Sequence, residues 1–344
     1  MNASRLHRGL RKLAGQGLGS SAFRHESADR IASAVGADAY CFAETDPESL
    51  LATTYATGNL DRSGAALLHF NELGQRDFLK LRALADSPDP AGALSAVTGG
   101  RLDRSARHRE LLAPLGLGDE IRAVARSDGR VWGFLHLFRR EDRPAFDPDE
   151  VGVVAAATPL LAAGIRDAAL GSPGLAHDVP GPVLALLDDT DRVVESTPRA
   201  DEVLAELRDP DERRAETPDV ALMMAVLARA SAAASAPVTA RVRTRAGRWF
   251  SLHAGATTAD GGARRIALIL EPVAAPLTPE TWRARFGLSA GETEVVEKML
   301  AGRSTAQTAA ELMISPWTVQ DRFTSVFAKT GVHSRRELTG LLRP

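Results

Sequence analysis

Along most of the chain, apolar positions recur first with a period of two, then with a period of three to four, and then with a period of two again. In the first half, Ala39–Ala43, Ser49–Tyr55, Glu120–Ala125 and Val131–Leu137 alternate as strands, the last two joined across Ser127-Asp128-Gly129-Arg130. Helical spacing covers Ser4–Leu13 and Ser21–Val35. A longer helix starts at Asp147-Pro148-Asp149-Glu150 and reaches Leu170. Within it Val151, Val154, Thr158, Leu161, Ile165 and Ala168 form a seam interrupted by Pro159, suited to a dimer contact or to the protein's own sheet.

The rhythm repeats further on. Val183–Leu187 and Arg192–Ser196 read as strands around the turn Asp188-Asp189-Thr190-Asp191. Helices follow at Ala200–Leu207 and Ala221–Ala230. Val238–Arg245 and Trp249–Thr257 then form a hairpin across Ala246-Gly247-Arg248, and Ile266–Leu270 is a last strand after Asp260-Gly261-Gly262. Glu271-Pro272-Val273-Ala274-Ala275-Pro276-Leu277-Thr278-Pro279 is proline-punctuated and reads as a linker.

From Leu288 to Leu342 the period is helical throughout, in four short helices. Ser289-Ala290-Gly291-Glu292, Ser304-Thr305-Ala306-Gln307 and Ser334-Arg335-Arg336-Glu337 each place a serine three residues before Glu or Gln, the pattern of a capping box. Ser315-Pro316 starts another helix, with a serine cap and proline at the first helical position. Only Met313 and Ile314 precede that serine after the second helix. Helices joined so tightly cross at a large angle, as in a helix-turn-helix.

Leu288-Ser289-Ala290-Gly291-Glu292-Thr293-Glu294-Val295-Val296, Ala301-Gly302, Ala309-Ala310-Glu311-Leu312, Ile314-Ser315-Pro316, Thr318-Val319, Lys329 and Gly331-Val332-His333-Ser334-Arg335 together resemble the DNA-binding domain of LuxR/NarL-type regulators. The resemblance implies four helices, the third entering the major groove and the fourth commonly making a dimer contact. Gln307-Thr308 depart from the family's usual Glu-Ile, Arg322 from its His and Thr330 from its Leu. Leu187–Val194 resembles the opening hairpin of a PAS domain, and the first half resembles a GAF domain. Both resemblances imply folds that can hold a ligand between sheet and helices.

On a helical wheel, Val319, Phe323, Val326, Phe327 and Thr330 face inward, while Trp317, Asp321, Thr324, Ser325 and Ala328 face outward with Gln320 beside them. Gln320 suits an adenine edge, Asp321 a cytosine amino group, and Thr324 either a polar edge or a thymine methyl. These three are the expected base contacts, and they coincide with the positions that the resemblance implies. Thr318, Arg322, Lys329, Arg335 and Arg336 are the expected backbone contacts, which position without reading sequence.

Composition narrows the reading. A net charge of −2 and a pI near 6.5 confine any attraction for DNA to one region. The length of 344 residues suits two or three domains, with 44% apolar and 25% charged residues. Cys41 is the only cysteine, so neither an internal disulfide nor a zinc finger is available. Cys41, His69 and His136 lack the spacing of a metal site, and hydrolase, P-loop and Gly-rich nucleotide motifs are absent. The first nine residues lack the apolar core of a signal peptide.

The expected protein is multidomain: a GAF-like α+β sensor at 1–172, a PAS-like α+β domain at 176–273, a linker at 274–287 and an all-α LuxR-type helix-turn-helix at 288–344. It is expected to be a non-enzymatic cytoplasmic transcriptional regulator that binds double-stranded DNA as a homodimer, with no cofactor, metal or membrane partner. Its input is a small molecule or a partner protein. Tyr40, Phe42, Tyr55, Trp132 and Phe134 are the expected pocket residues, because strand alternation would set Tyr40 with Phe42 and Trp132 with Phe134 on common faces. The competing reading is a ligand-binding or protein-interaction regulator whose helix-turn-helix serves dimerisation, motivated by the acidic Asp321 on the groove face.

Overall fold

A computed structural model describes residues 3–47, 49–61, 64–127, 129–171, 181–208, 217–231, 238–245, 248–258, 264–273, 282–283 and 286–342. The chain divides into two compact units, Met1–Val273 and Ala274–Pro344.

The first unit holds two five-stranded antiparallel sheets. Sheet one takes β1 (Ala39–Thr45), β2 (Ala52–Gly58), β3 (Ala91–Ala93), β4 (Leu117–Ser127) and β5 (Arg130–Arg140) in the order β2-β1-β5-β4-β3. Sheet two takes β6 (Val183–Leu187), β7 (Val193–Ser196), β8 (Val238–Arg243), β9 (Trp249–Thr258) and β10 (Arg264–Val273) in the order β7-β6-β10-β9-β8. Renumbered from its own first strand, each sheet has the same order.

One face of sheet one is covered by α1 (Ala3–Ala14), α2 (Ser20–Val35) and α6 (Pro148–Gly171). Leu6, Leu10, Phe23, Ile31, Val154, Leu161 and Ile165 pack there on Tyr40, Phe42, Ile121, Ala123, Leu135 and Leu137. Gly164 lets α6 approach α2, since a Cβ there would lie 2.0 Å from the Phe23 ring. The seam of α6 is spent inside the unit: Val154, Thr158, Leu161, Ile165 and Ala168 are all buried. By length and apolar content α6 would also suit a membrane crossing, but its apolar stripe lies against the sheet.

The opposite face meets α3 (Ala65–Gly74) and α4 (Leu81–Asp86), with α5 (Leu94–Thr98) beside β3 and β4. No element was expected in this stretch between β2 and β4. Sheet two is covered by α7 (Ala200–Leu207) and α8 (Asp219–Ser231), and α8 also packs on α3 and β2 of the first sheet.

Two expectations about strands are corrected. β2 starts at Ala52 rather than Ser49, because Asp46 closes the connection: its N–H donates to Leu51 O and its Oδ2 accepts from Ser49 N and Oγ. β5 does not alternate strictly. Ala125 pairs with Gly133 and Arg126 with Val131, so Trp132 is an extra, bulged residue. The expected turn residues Asp128, Ala246, Gly247 and 260–262 lie outside the described residues.

The second unit packs α9 (Ala290–Leu300), α10 (Thr305–Glu311), α11 (Pro316–Thr330) and α12 (Arg335–Leu342) around Val295, Val296, Ala309, Val319, Phe323, Val326, Leu338 and Leu342. Trp282 and Phe286, expected in a linker, join this core. Residues 274–281 and 284–285 of that stretch lie outside the described residues.

Candidate nucleic-acid interface and ligand cavity

Local chemistry sets each helix of the second unit. Ser289 Oγ accepts from Glu292 N while Glu292 reaches back to Ser289 N, and Ser304 with Gln307 repeats the arrangement. The third expected box closes one residue earlier: Glu337 N donates to Ser334 Oγ, but the Glu337 carboxylate takes the N–H of His333. Ser315 caps α11 through Thr318 N, with Pro316 at the first turn. Met313 holds a left-handed backbone, φ 53°, in the three-residue turn before Ser315, and Gly331, φ 73°, ends α11.

Val319, Phe323 and Val326 anchor α11 in the core, with Phe327 partly buried beside them. The opposite side is open: Trp317, Gln320, Asp321, Thr324 and Ala328 are exposed, Trp317 at 75%. Thr324 Oγ1 donates to Gln320 O, which leaves its oxygen free to accept. The expected backbone contacts differ among themselves. Arg336 is exposed. Arg322 donates to Gly291 O at 3.0 Å and lies 3.9 Å from Glu294. Arg335 stacks over Phe323 at 4.3 Å and donates to Thr305 Oγ1. Thr318 Oγ1 pairs with Ser315 Oγ.

Lys329 is bound to both oxygens of Glu292, at 2.9 and 2.7 Å. Burial works to raise the Glu292 carboxyl, but Lys329, the Ser325 hydroxyl and Ser289 outweigh it and hold it at about 2. Lys329 is therefore fixed by an ion pair, and Arg322 and Arg335 by neighbouring groups, each with part of its side chain at the surface.

A second feature lies in the first unit. A cavity of about 820 Å³ opens between the free face of sheet one, α3, α4 and the α8–β8 side of sheet two. Two rows of paired residues make its floor, Ala43–Phe134 and Cys41–His136–Arg122. Leu50, Leu51, Leu68, Leu73, Leu81, Met223, Leu227 and Val238 supply apolar walls.

Under the floor is a buried charge network. Glu120 receives Arg107 Nε at 2.9 Å, Arg122 Nε at 2.9 Å and His136 Nδ1 at 3.2 Å. Arg122 Nη1 also donates to Glu72 at 2.6 Å and to Leu79 O at 3.2 Å. Burial pushes the Glu120 carboxyl up, yet Arg107 and Arg122 together drive it well below the ordinary range. Burial, aided by Arg122, lowers His136, so it stays neutral with Nδ1–H toward Glu120.

Of the five expected pocket aromatics, Tyr55 and Phe134 line the cavity, and Tyr55 OH bonds His69 Nε2 at 3.1 Å. Tyr40, Phe42 and Trp132 belong to the helix-covered face. Tyr40 and Phe42 share a face as alternation required, but the wrong one for the cavity. The bulge separates Trp132 from Phe134. Arg122, Glu120 and His136 were not expected as site residues. The alternation of Glu120-Ile121-Arg122 against apolar neighbours was the available signal, since it sends two charged residues to one face of a buried strand. Cys41, His69 and His136, once weighed as metal ligands, all line the cavity, and among the described residues no three His, Cys, Asp or Glu side chains gather as a metal cage.

A capped, exposed helix presented by a tight turn on a four-helix core defines a helix-turn-helix DNA-binding module. Residues 287–342 match the family model of bacterial regulatory proteins, luxR family. The chain is a DNA-binding transcriptional regulator, and this module is regulatory rather than catalytic. No curated protein matches the chain.

Similar solved structures include the phycoerythrobilin-bound GAF domain of a cyanobacterial phytochrome, at 16% identity and TM-score 0.36, covering 52% of this chain and 99% of that one. Another is the Vibrio cholera VqmA–ligand–DNA complex, at 18% identity and TM-score 0.32, covering 48% and 82%. Escherichia coli SdiA aligns over 100% of both chains at 13% identity and TM-score 0.38.

Proposed function

We propose that the regulator binds operator DNA as a homodimer through α11, under control of a small molecule held in the first unit. The carrying observation is the exposed polar face of α11 on a capped helix-turn-helix frame. Gln320, Asp321 and Thr324 are the base readers. Thr318, Arg322, Lys329, Arg335 and Arg336 are the phosphate contacts, with Arg336 the least committed within the domain. A single module with so few cations holds DNA weakly, so a symmetric pair on an inverted repeat fits best. In this scheme residues 1–172 act as a GAF-like sensor, 176–273 as a PAS-like domain and 288–344 as the DNA reader, in a cytoplasmic protein.

The test is binding of the full chain to selected operator and to random duplexes across a salt series. Gln320→Ala should lose about 1–3 kcal/mol on operator alone, while Arg336→Ala should weaken both DNAs alike and flatten the salt dependence. Equal losses on both DNAs for Gln320→Ala, or a footprint without a dyad, overturn the assignment. Small-molecule control is tested separately, by a thermal-shift screen followed by operator titration with the hits. Operator affinity that no hit changes would count against it.

A further inference from the structure

Arg122 on the cavity floor carries an unmet polar group. Arg122 is fully buried and lines the cavity; its Nε and Nη1 are taken by Glu120, Glu72 and Leu79 O, while its Nη2 has no hydrogen-bond partner. A buried donor left unmet is costly, and a ligand oxygen placed there removes that cost.

The surrounding charges decide what kind of oxygen. Arg107 and Arg122 are ion-paired to Asp77, Glu120 and Glu72, and Lys80 donates to Asn71 O and Gln75 O, so three cations stand against three carboxylates; at the rim one further cation, Arg82, stands against one further carboxylate, Asp86. His136 is neutral. A ligand carboxylate would add a desolvated charge beside Glu72 with no cation left over, and an ammonium would face Arg122 and Lys80. A neutral carbonyl accepts from Nη2 without disturbing that balance. Ser49, His69, Gln75 and Thr239 add neutral polar groups, the remaining lining is apolar, and the volume is in the range of small-molecule sites.

We propose that the cavity binds a small, mostly apolar molecule whose neutral carbonyl accepts from Arg122 Nη2, with Met223 and Leu227 of α8 and Val238 and Thr239 of β8 closing over its apolar body. Occupancy then bridges the two sheets of the first unit. The assignment rests on the reading that this unit takes a small-molecule signal, and names the chemistry of that signal.

The test uses the full chain and three nine-carbon probes, 2-nonanone, nonanoate and nonylammonium, titrated by calorimetry or ligand-observed NMR. The ketone should bind at least about tenfold tighter than either ion. Arg122→Lys, which keeps the charge and loses Nη2, should weaken the ketone severalfold and leave the ions unchanged. Leu227→Trp fills the cavity from the α8 side without touching the charge network, and should weaken the ketone about tenfold while melting at an unchanged temperature. Nonanoate or nonylammonium outranking the ketone overturns the neutral-carbonyl assignment, as does failure of all three probes to bind. Ketone binding unaltered in Leu227→Trp overturns the two-sheet cavity. The ranking of the probes by the wild-type chain stands even if Arg122→Lys does not fold. Preferential ketone binding supports the assignment even where operator affinity stays constant, a result that counts against small-molecule control alone.

Discussion

The two sheets of the first unit run through the same strand order, yet their helix-facing surfaces have opposite characters. In sheet two, Ala185, Leu187, Ala240, Val242, Leu252, Ala254, Leu268 and Leu270 are buried and apolar, and Val203, Leu204, Leu207, Val220 and Met224 of α7 and α8 pack over them. In sheet one, the corresponding face mixes Ala43, Val124 and Phe134 with Glu120, Arg122 and His136, and the helices opposite leave a cavity. Topology therefore does not decide which sheet keeps a pocket. Buried charges must be met by other charges and carbonyls at fixed distances, and side chains engaged in that network cannot collapse into the space beside them.

The sharpest way to break this comparison is to remove the centre of the network. Glu120→Gln leaves Arg107 and Arg122 buried with a weaker partner and should destabilise sheet one by about 3–5 kcal/mol. Leu252→Ala in sheet two should cost about 2–4 kcal/mol by emptied volume instead. Hydrogen exchange followed strand by strand in urea separates the two. A loss below about 1 kcal/mol for Glu120→Gln would mean that the network does not hold the face open.

A smaller effect sharpens the contrast in packing. Ala43 borders the cavity and Ala185 sits in the filled core of sheet two. Ala43→Leu should change stability by less than about 0.5 kcal/mol, whereas Ala185→Leu should cost about 1–3 kcal/mol through overpacking. Equal penalties in denaturant unfolding would place the two faces in one class.

Legibility in the sequence followed the range of the interactions involved. The DNA-binding end was readable because its helix starts are marked by side chains within three residues, as at Ser289, Ser304 and Ser315. The long strand β4 was readable from alternation, and so was β5 apart from the bulge at Trp132. The stretch that walls the cavity was not. α3, α4 and α5 start at Gly64, Lys80 and Ala93 with no side-chain cap, and the longest has only 10 residues, too few for a periodic signal to stand out. Tyr40, Phe42 and Trp132 fell on the other face for a related reason. Alternation shows which residues share a face but not which face stays uncovered, and the bulge at Trp132 is a property of two strands together. Arg122 and His136 become neighbours only once β4 and β5 are in register.

The smallest expected difference between the sheets is in their response to mild acid. His136 in sheet one is lowered by burial and by Arg122, and His108 nearby is lowered by burial. In sheet two, His253 is partly exposed and hydrogen-bonded to Thr239 and Ser251. A histidine held below its unfolded value of 6.5 binds a proton less readily when folded. Its contribution is therefore complete above pH 6.5 and shrinks as the pH falls toward the depressed folded value. The exchange-derived stability of β4 and β5 should accordingly fall more steeply between pH 7 and pH 5 than that of β9 and β10. His136→Gln keeps a donor to Glu120 but does not titrate, so it should remove part of that slope and leave the remainder to His108. Parallel slopes for the two sheets in the wild-type chain, or a slope unchanged by His136→Gln, would remove the buried imidazole from the account and leave the carboxylate–guanidinium pairs alone to distinguish the first sheet from the second.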